Sequence, residues 1–219
     1  MVTRAGARAV SGQEELDGGG HAMQGIAAEF PIPVSVEGSK ATVMREAVAA
    51  GAGLINDVMA LRDVGALAAA RELNVPVCLM HMQGLPRTMQ HDPQYRDVVA
   101  EVGDFLQSRV DACLAEGIPR EKLLLDPGFG FGKSLQHNLA LLRHLDRFSK
   151  LQLPLLVGIS RKSMIGAVLD DAPVGQRLHG GLACAVMAVE RGAVIIRTHD
   201  VKPTADAVRM AHAVMSIEV

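Results

Sequence analysis

From residue 33 onward the chain alternates short apolar runs with longer amphipathic ones. The pattern predicts strands at 34–37, 54–57, 76–81, 123–126, 155–160 and 194–200. Between them the helical period of apolar positions returns. Val43, Met44, Ala47 and Val48 mark a helix capped by Ser39 and stopped at Gly51, and Ala66, Leu67 and Ala70 mark one capped by Asp63. The longest helix is expected over 97–115, with Val98, Val102, Phe105, Val110 and Cys113 inward. Further helices are expected after Ser134 (Leu139, Leu142, Leu145, Phe148), over 174–191 and over 204–215. Upstream, residues 1–12 are small and irregular, and 13–30 suits a helix except that Gly18-Gly19-Gly20 interrupts it. Each interior glycine costs about 1 kcal/mol relative to alanine, so this helix should break or fray.

Strict strand–helix alternation with apolar strands means a parallel β/α architecture. Every strand also ends in polar chemistry: Glu37, Asn56-Asp57, His81, Asp126, Ser160-Arg161-Lys162, and Arg197 with His199. An open doubly wound sheet gathers such groups near one switch point, whereas a (β/α)8 barrel spreads them over the C-terminal tips of many strands. The expectation is therefore a TIM-type barrel within a single domain, 1–219, with about six of the eight βα units present.

The most informative stretch is Leu123–Asp126 with the Pro127-Gly128-Phe129-Gly130-Phe131-Gly132-Lys133-Ser134 that follows. A buried strand ends in one carboxylate, and glycines at alternate positions let backbone come close to a ligand. A phosphate-cradling loop ending in Gly132-Lys133-Ser134 needs glycine where Pro127 stands. A dinucleotide fingerprint from Gly128 meets Lys133, and one from Gly130 meets Leu135. Two readings remain: a tight strand-to-helix turn capped by Ser134, or an acid presented at the mouth of the fold.

Composition narrows the choice of partners. A net charge of −2 with no basic run excludes nucleic acid, so an anionic ligand must be held by a few placed cations. Aromatic residues make up only 3%, so the core must be aliphatic. Cys78, Cys113 and Cys184 show neither C-x-x-C nor zinc spacing and read as buried free thiols of a reducing compartment. No apolar run approaches the ~18 residues of a membrane span, and Arg4 and Arg8 precede no apolar segment, so a cytoplasmic protein without membrane partners is expected.

Asn56-Asp57, Leu79-Met80-His81-Met82, the Asp126–Phe131 block, Ser160-Arg161-Lys162-Ser163 and Arg197-Thr198-His199-Asp200 together resemble dihydropteroate synthase, in order and spacing, essentially from Thr3 to the C-terminus. The resemblance implies condensation of a dihydropterin-CH2-diphosphate with p-aminobenzoate in folate biosynthesis, with diphosphate released. It implies Asp126, Lys162 and Arg197 as catalytic, and Glu37, Asn56, Met80, Asp126, Phe131 and Lys162 around the pterin. Thr3, Arg4, Arg197 and His199 correspond to the diphosphate site, and Phe131, Lys162 and Ser163 to the aminobenzoate site. A homodimer and Mg2+ are implied as well, although the asparagine associated with magnesium belongs to a family segment without counterpart here; no metal ligand is assigned.

The departures from the family pattern are specific. Its first two strands have no counterpart, Glu37 stands for an aspartate, Ala5 for a proline and Gly38 for a threonine. Residue by residue, Asp126 and Asn56 could each serve a turn, Lys162 could be a solvated charge, and His81 reads as a core or supporting histidine. Two other functions stay open: a non-catalytic pterin-binding remnant and a pterin-dependent methyltransferase.

Overall fold

The computed structural model describes residues 25–26, 29–84 and 88–217. Thr3, Arg4, Ala5, the glycine triplet and most of the expected first helix lie outside these residues. Six strands form one parallel sheet: β1 Val34–Glu37, β2 Ala52–Asp57, β3 Val77–Met80, β4 Leu123–Asp126, β5 Leu155–Val157 and β6 Ala193–Ile196. Each pairs with the next in sequence, and the sheet curls into part of a TIM barrel. The helices are α1 Ala41–Ala49, α2 Ala66–Leu73, α3 Val98–Glu116, α4 Leu135–Arg143, α5 Ser163–Val168, α6 Leu178–Glu190 and α7 Val201–Met215.

Alternation along the strands separates two faces. Ile55, Val77, Leu79, Leu123, Leu125, Leu155 and Val157 join the main core, which the helices cover. Their neighbours point the other way. Register places Glu37 beside Asn56, Asn56 beside Cys78, and Met80 beside Asp126, all on the inner face. Met80 packs there with Val58, Met82 and Met89 in a separate apolar cluster that also includes Met59 and Phe131. The core is aliphatic as expected, with Phe129 and Phe148 the only phenylalanines buried in it.

The longest helix among the described residues is α3, as expected; Asp97 caps it, accepting from the Val99 and Ala100 amides at 3.0 and 3.1 Å. Ser134 caps α4 in a capping box closed by the His137 ring. Other expectations need correction. Ser39 does not cap α1, where Lys40 holds the cap position; its hydroxyl is donated to Asp57 Oδ1 at 2.5 Å. Asp63 does not cap α2, because Gly65 in the left-handed conformation takes the cap position and the Asp63 carboxylate bonds the next amide. The helix expected from 174 begins as a 3-10 turn, Val174–Gln176, and becomes α-helical only at Leu178. Helix α5 was not foreseen: six residues with a central glycine carry no readable period. Cys78 and Cys113 are buried free thiols, whereas Cys184 is partly exposed.

Candidate active site

The tips of β2, β4, β5 and β6 bring Asn56, Asp126, Lys162 and Arg197 to one region. Asp126 is 1% exposed, and its two oxygens are used differently. Oδ1 accepts the Gly128 amide at 2.8 Å, and Oδ2 accepts the Arg197 guanidinium Nη2 at 3.2 Å. Each oxygen keeps a lone pair for a ligand. Arg197 reaches Asp126 because residue 158 is glycine; a Cβ there would stand 3.0 Å from both Nε and Nη2 of Arg197.

Lys162 follows Arg161, which has positive φ and pairs outward with Asp200 at 2.6 Å. That turn sends Lys162 inward. Its ammonium donates to the Phe129 carbonyl and lies 4.7 Å from the Phe131 ring centroid. Burial of the ammonium lowers its pKa to about 8, with Arg197 adding to the effect while Asp126 and Glu37 oppose it. A lysine poised there can donate a hydrogen bond near neutrality and change protonation state in mild alkali.

Asn56 is the outlier among the buried polar groups. It is 3% exposed, and neither its Oδ1 nor its Nδ2 has a hydrogen-bond partner among the described residues. Glu37 Oε1, beside it in register, is also buried and unpartnered. Folded proteins rarely leave such groups unpaired, because each costs about 1–3 kcal/mol. Met80, fully buried, and Phe131, partly exposed, belong to the apolar cluster on this face. The inner face thus offers an acceptor–donor pair, two carboxylates, a cation and an apolar wall, which suits a flat heterocycle with both donors and acceptors on its edge.

The remaining expected residues are more peripheral. The His199 ring and backbone amide both contact the Ser160 hydroxyl, at 3.1 and 3.2 Å, on the exposed side of the β6 tip. Ser163 is exposed at the start of α5. Asp57 faces the helices, not the site. Its carboxylate takes Ser39 and the Met59 and Leu61 amides, and burial pushes its pKa upward against these donors.

Sequence reasoning missed the supports of the loop after β4. The backbone that comes close to this loop is the chain's own: a Cβ on Gly128 would lie 1.8 Å from the His81 carbonyl oxygen, and one on Gly132 2.4 Å from that of Gln83. Asn138 Oδ1 accepts the Gly130 amide at 2.7 Å, and Tyr95 donates its hydroxyl proton to Gly132 O at 2.9 Å. Lys133, considered at first only for phosphate, is buried inside this loop. Its signal was a lysine flanked by apolar and glycine residues with no acid nearby. His81 is a buried supporting histidine, as expected.

The family model for "Pterin binding enzyme" matches residues 1–199. The chain belongs to the pterin binding enzymes. It is 52% identical over 214 residues to the dihydropteroate synthase of Escherichia coli K12, spanning 98% of this chain and 76% of that relative. The Yersinia pestis dihydropteroate synthase, solved with a sulfonamide drug, superposes with a TM-score of 0.95 at 50% identity, covering 99% of this chain and 78% of that one. The Xanthomonas albilineans enzyme with 4-aminobenzoic acid gives 0.94 at 46% identity, covering 99% and 77%. Both place the fold among the TIM barrels expected from the strand tips.

Proposed function

We propose that this chain acts as a dihydropteroate synthase. The C–O bond of a dihydropterin-CH2-diphosphate breaks, its electron pair leaving with diphosphate. The amine of p-aminobenzoate then forms the new C–N bond and releases one proton to solvent. The observation that carries this reading is the unpartnered Asn56 amide beside Glu37, on the same face as Asp126. A pterin edge, with a ring N–H, an amino group and ring acceptors, would satisfy all three.

In this reading Asp126, Asn56 and Glu37 hold the pterin edge, Lys162 donates to the pterin carbonyl, and Met80 and Phe131 wall the ring. Arg197 and His199, with Thr3 and Arg4 from outside the described residues, receive the diphosphate. Cations placed there stabilise the charge that grows as the C–O bond breaks. Lys162, Phe131 and Ser163 face the aminobenzoate, the ligand held by the Xanthomonas relative. Among the described residues no three His, Cys, Asp or Glu side chains gather to hold a metal ion, so no step is routed through magnesium. An apolar groove of about 440 Å3 between α4, α5 and α6, with Leu142, Ile165 and Met187 in its wall, supports a homodimer through the outer helices. Among the described residues no helix is long and apolar enough to cross a membrane.

A second reading, pterin binding without turnover, is favoured by one observation, the longer acid Glu37 where the family pattern has an aspartate. A coupled assay with both substrates, beside calorimetry with 6-hydroxymethylpterin, decides. Dihydropteroate formed supports the synthase, pterin bound without product supports the second reading, and no pterin bound contradicts both.

A further inference from the structure

Among the described residues Lys133 is the most buried basic side chain that the proposed chemistry leaves unused. It is 3% exposed, burial pushes its pKa well below the usual lysine range, and its Nζ donates to Gly128 O at 2.9 Å and Phe131 O at 3.0 Å and lies 2.8 Å from His81 Nδ1. Burial, with Lys133 adding to it, lowers the His81 pKa to about 2, so the ring stays neutral beside the Lys133 Nζ. The His81 ring stands edge-on to Phe105 at 4.8 Å, and its backbone amide donates to Asp126 O at 3.0 Å. The histidine is therefore a fixed post at the end of β3. Lys133 ties the β4 loop to it.

Its two carbonyl partners bracket Phe129 and end at Phe131. The Phe129 carbonyl takes the Lys162 ammonium, and the Phe131 ring lies under the same ammonium. The Gly128 amide, at the start of the bracketed segment, holds Asp126 Oδ1. Both lysines grip the same short loop, and the charge of Lys162 is felt at Lys133 as well.

We infer that Lys133, seated on His81, is a positioning residue that sets Lys162 and Phe131 at the mouth of the pocket by stapling residues 128–131. For the ligand it concerns, this rests on the pterin reading above. Ring current from Phe131 should shift the ε-methylene signal of Lys162, a reading of geometry that the charge of Lys133 does not supply. In 13C-lysine-labelled protein, with that signal assigned by Lys162→Arg, Phe131→Leu should abolish the shift. Lys133→Met should abolish it as well while the far-UV circular dichroism stays that of a folded chain. The same variant should weaken 6-hydroxymethylpterin roughly tenfold, since the Gly128 and Phe131 carbonyls lose their donor. Should Lys133→Met not fold, Lys133→Gln, which keeps one amino group for a carbonyl, is read in the same way and should show a partial loss. His81→Asn, keeping a hydrogen-bonding group for Lys133, should preserve the shift. A folded Lys133 variant with the shift and pterin affinity of the parent overturns the inference. If the parent binds no pterin, the proposed function fails, and the ring-current shift still decides the positioning.

Discussion

Asn56 and Asp57 are neighbours at the tip of β2, both buried, and they have opposite fates. Asp57 points outward into the helical wall and is fully used, with a serine hydroxyl and two amides on its oxygens. Asn56 points inward, and its side-chain amide has no hydrogen-bond partner among the described residues. One strand residue completes the fold and the next is left for a ligand. The same division runs along the other tips: Arg161 pairs outward with Asp200, while Lys162 turns into the pocket. Polar groups that face the wall are satisfied by the chain, and those that face the barrel interior are held in place but left incomplete.

The comparison can be broken most severely at the hinge between the two sides. Gly128→Ala would drive a Cβ into the His81 carbonyl in a left-handed backbone, costing more than about 3 kcal/mol. Chemical denaturation should then find little folded protein. Next in size is Asp57→Ala, which strands two buried amides and should lower the unfolding free energy by about 2–4 kcal/mol, read from urea midpoints.

Lys162 offers a pH test of smaller size. Its pKa of about 8 lies below the ordinary 10.5, so the fold disfavours the charged form. Between those values the unfolded chain binds the proton that the folded chain has lost, and this group's contribution to stability rises with pH. Below about 8 both states are charged and the penalty is complete. Lys162→Met should lack the rise between pH 8 and 10.5, seen as a flatter plot of denaturation midpoint against pH than the parent's. The smallest effect belongs to the outer surface. Breaking the exposed Arg45–Glu72 pair, 2.7 Å apart, by Arg45→Ala should change stability by less than about 0.5 kcal/mol.

Much of this was legible in the letters. Parallel strands buried on both faces read as unbroken apolar runs, and Ser134 had no competing partner, so its cap came out correctly. Ser39 failed as a cap because Asp57, 18 residues away, takes its hydroxyl. Asp63 failed because the turn needs the positive φ of Gly65. The five family blocks lie at strand tips of one sheet, yet nothing local told Asn56 from Asp57. Strand parity separates them, and only the packing of the helices says which parity faces inward. Lys133 was judged by its glycine neighbours alone, since its anchor His81 sits on a different strand end.

The direct test of this division is calorimetry of 6-hydroxymethylpterin binding to the parent and to Asn56→Leu, with urea denaturation of both. Removing an amide that has no partner among the described residues should leave stability unchanged or raise it by about 1 kcal/mol, while pterin affinity falls roughly 100-fold. If Asn56→Leu binds the pterin as tightly as the parent, the inner face is not the ligand site, and the account is wrong.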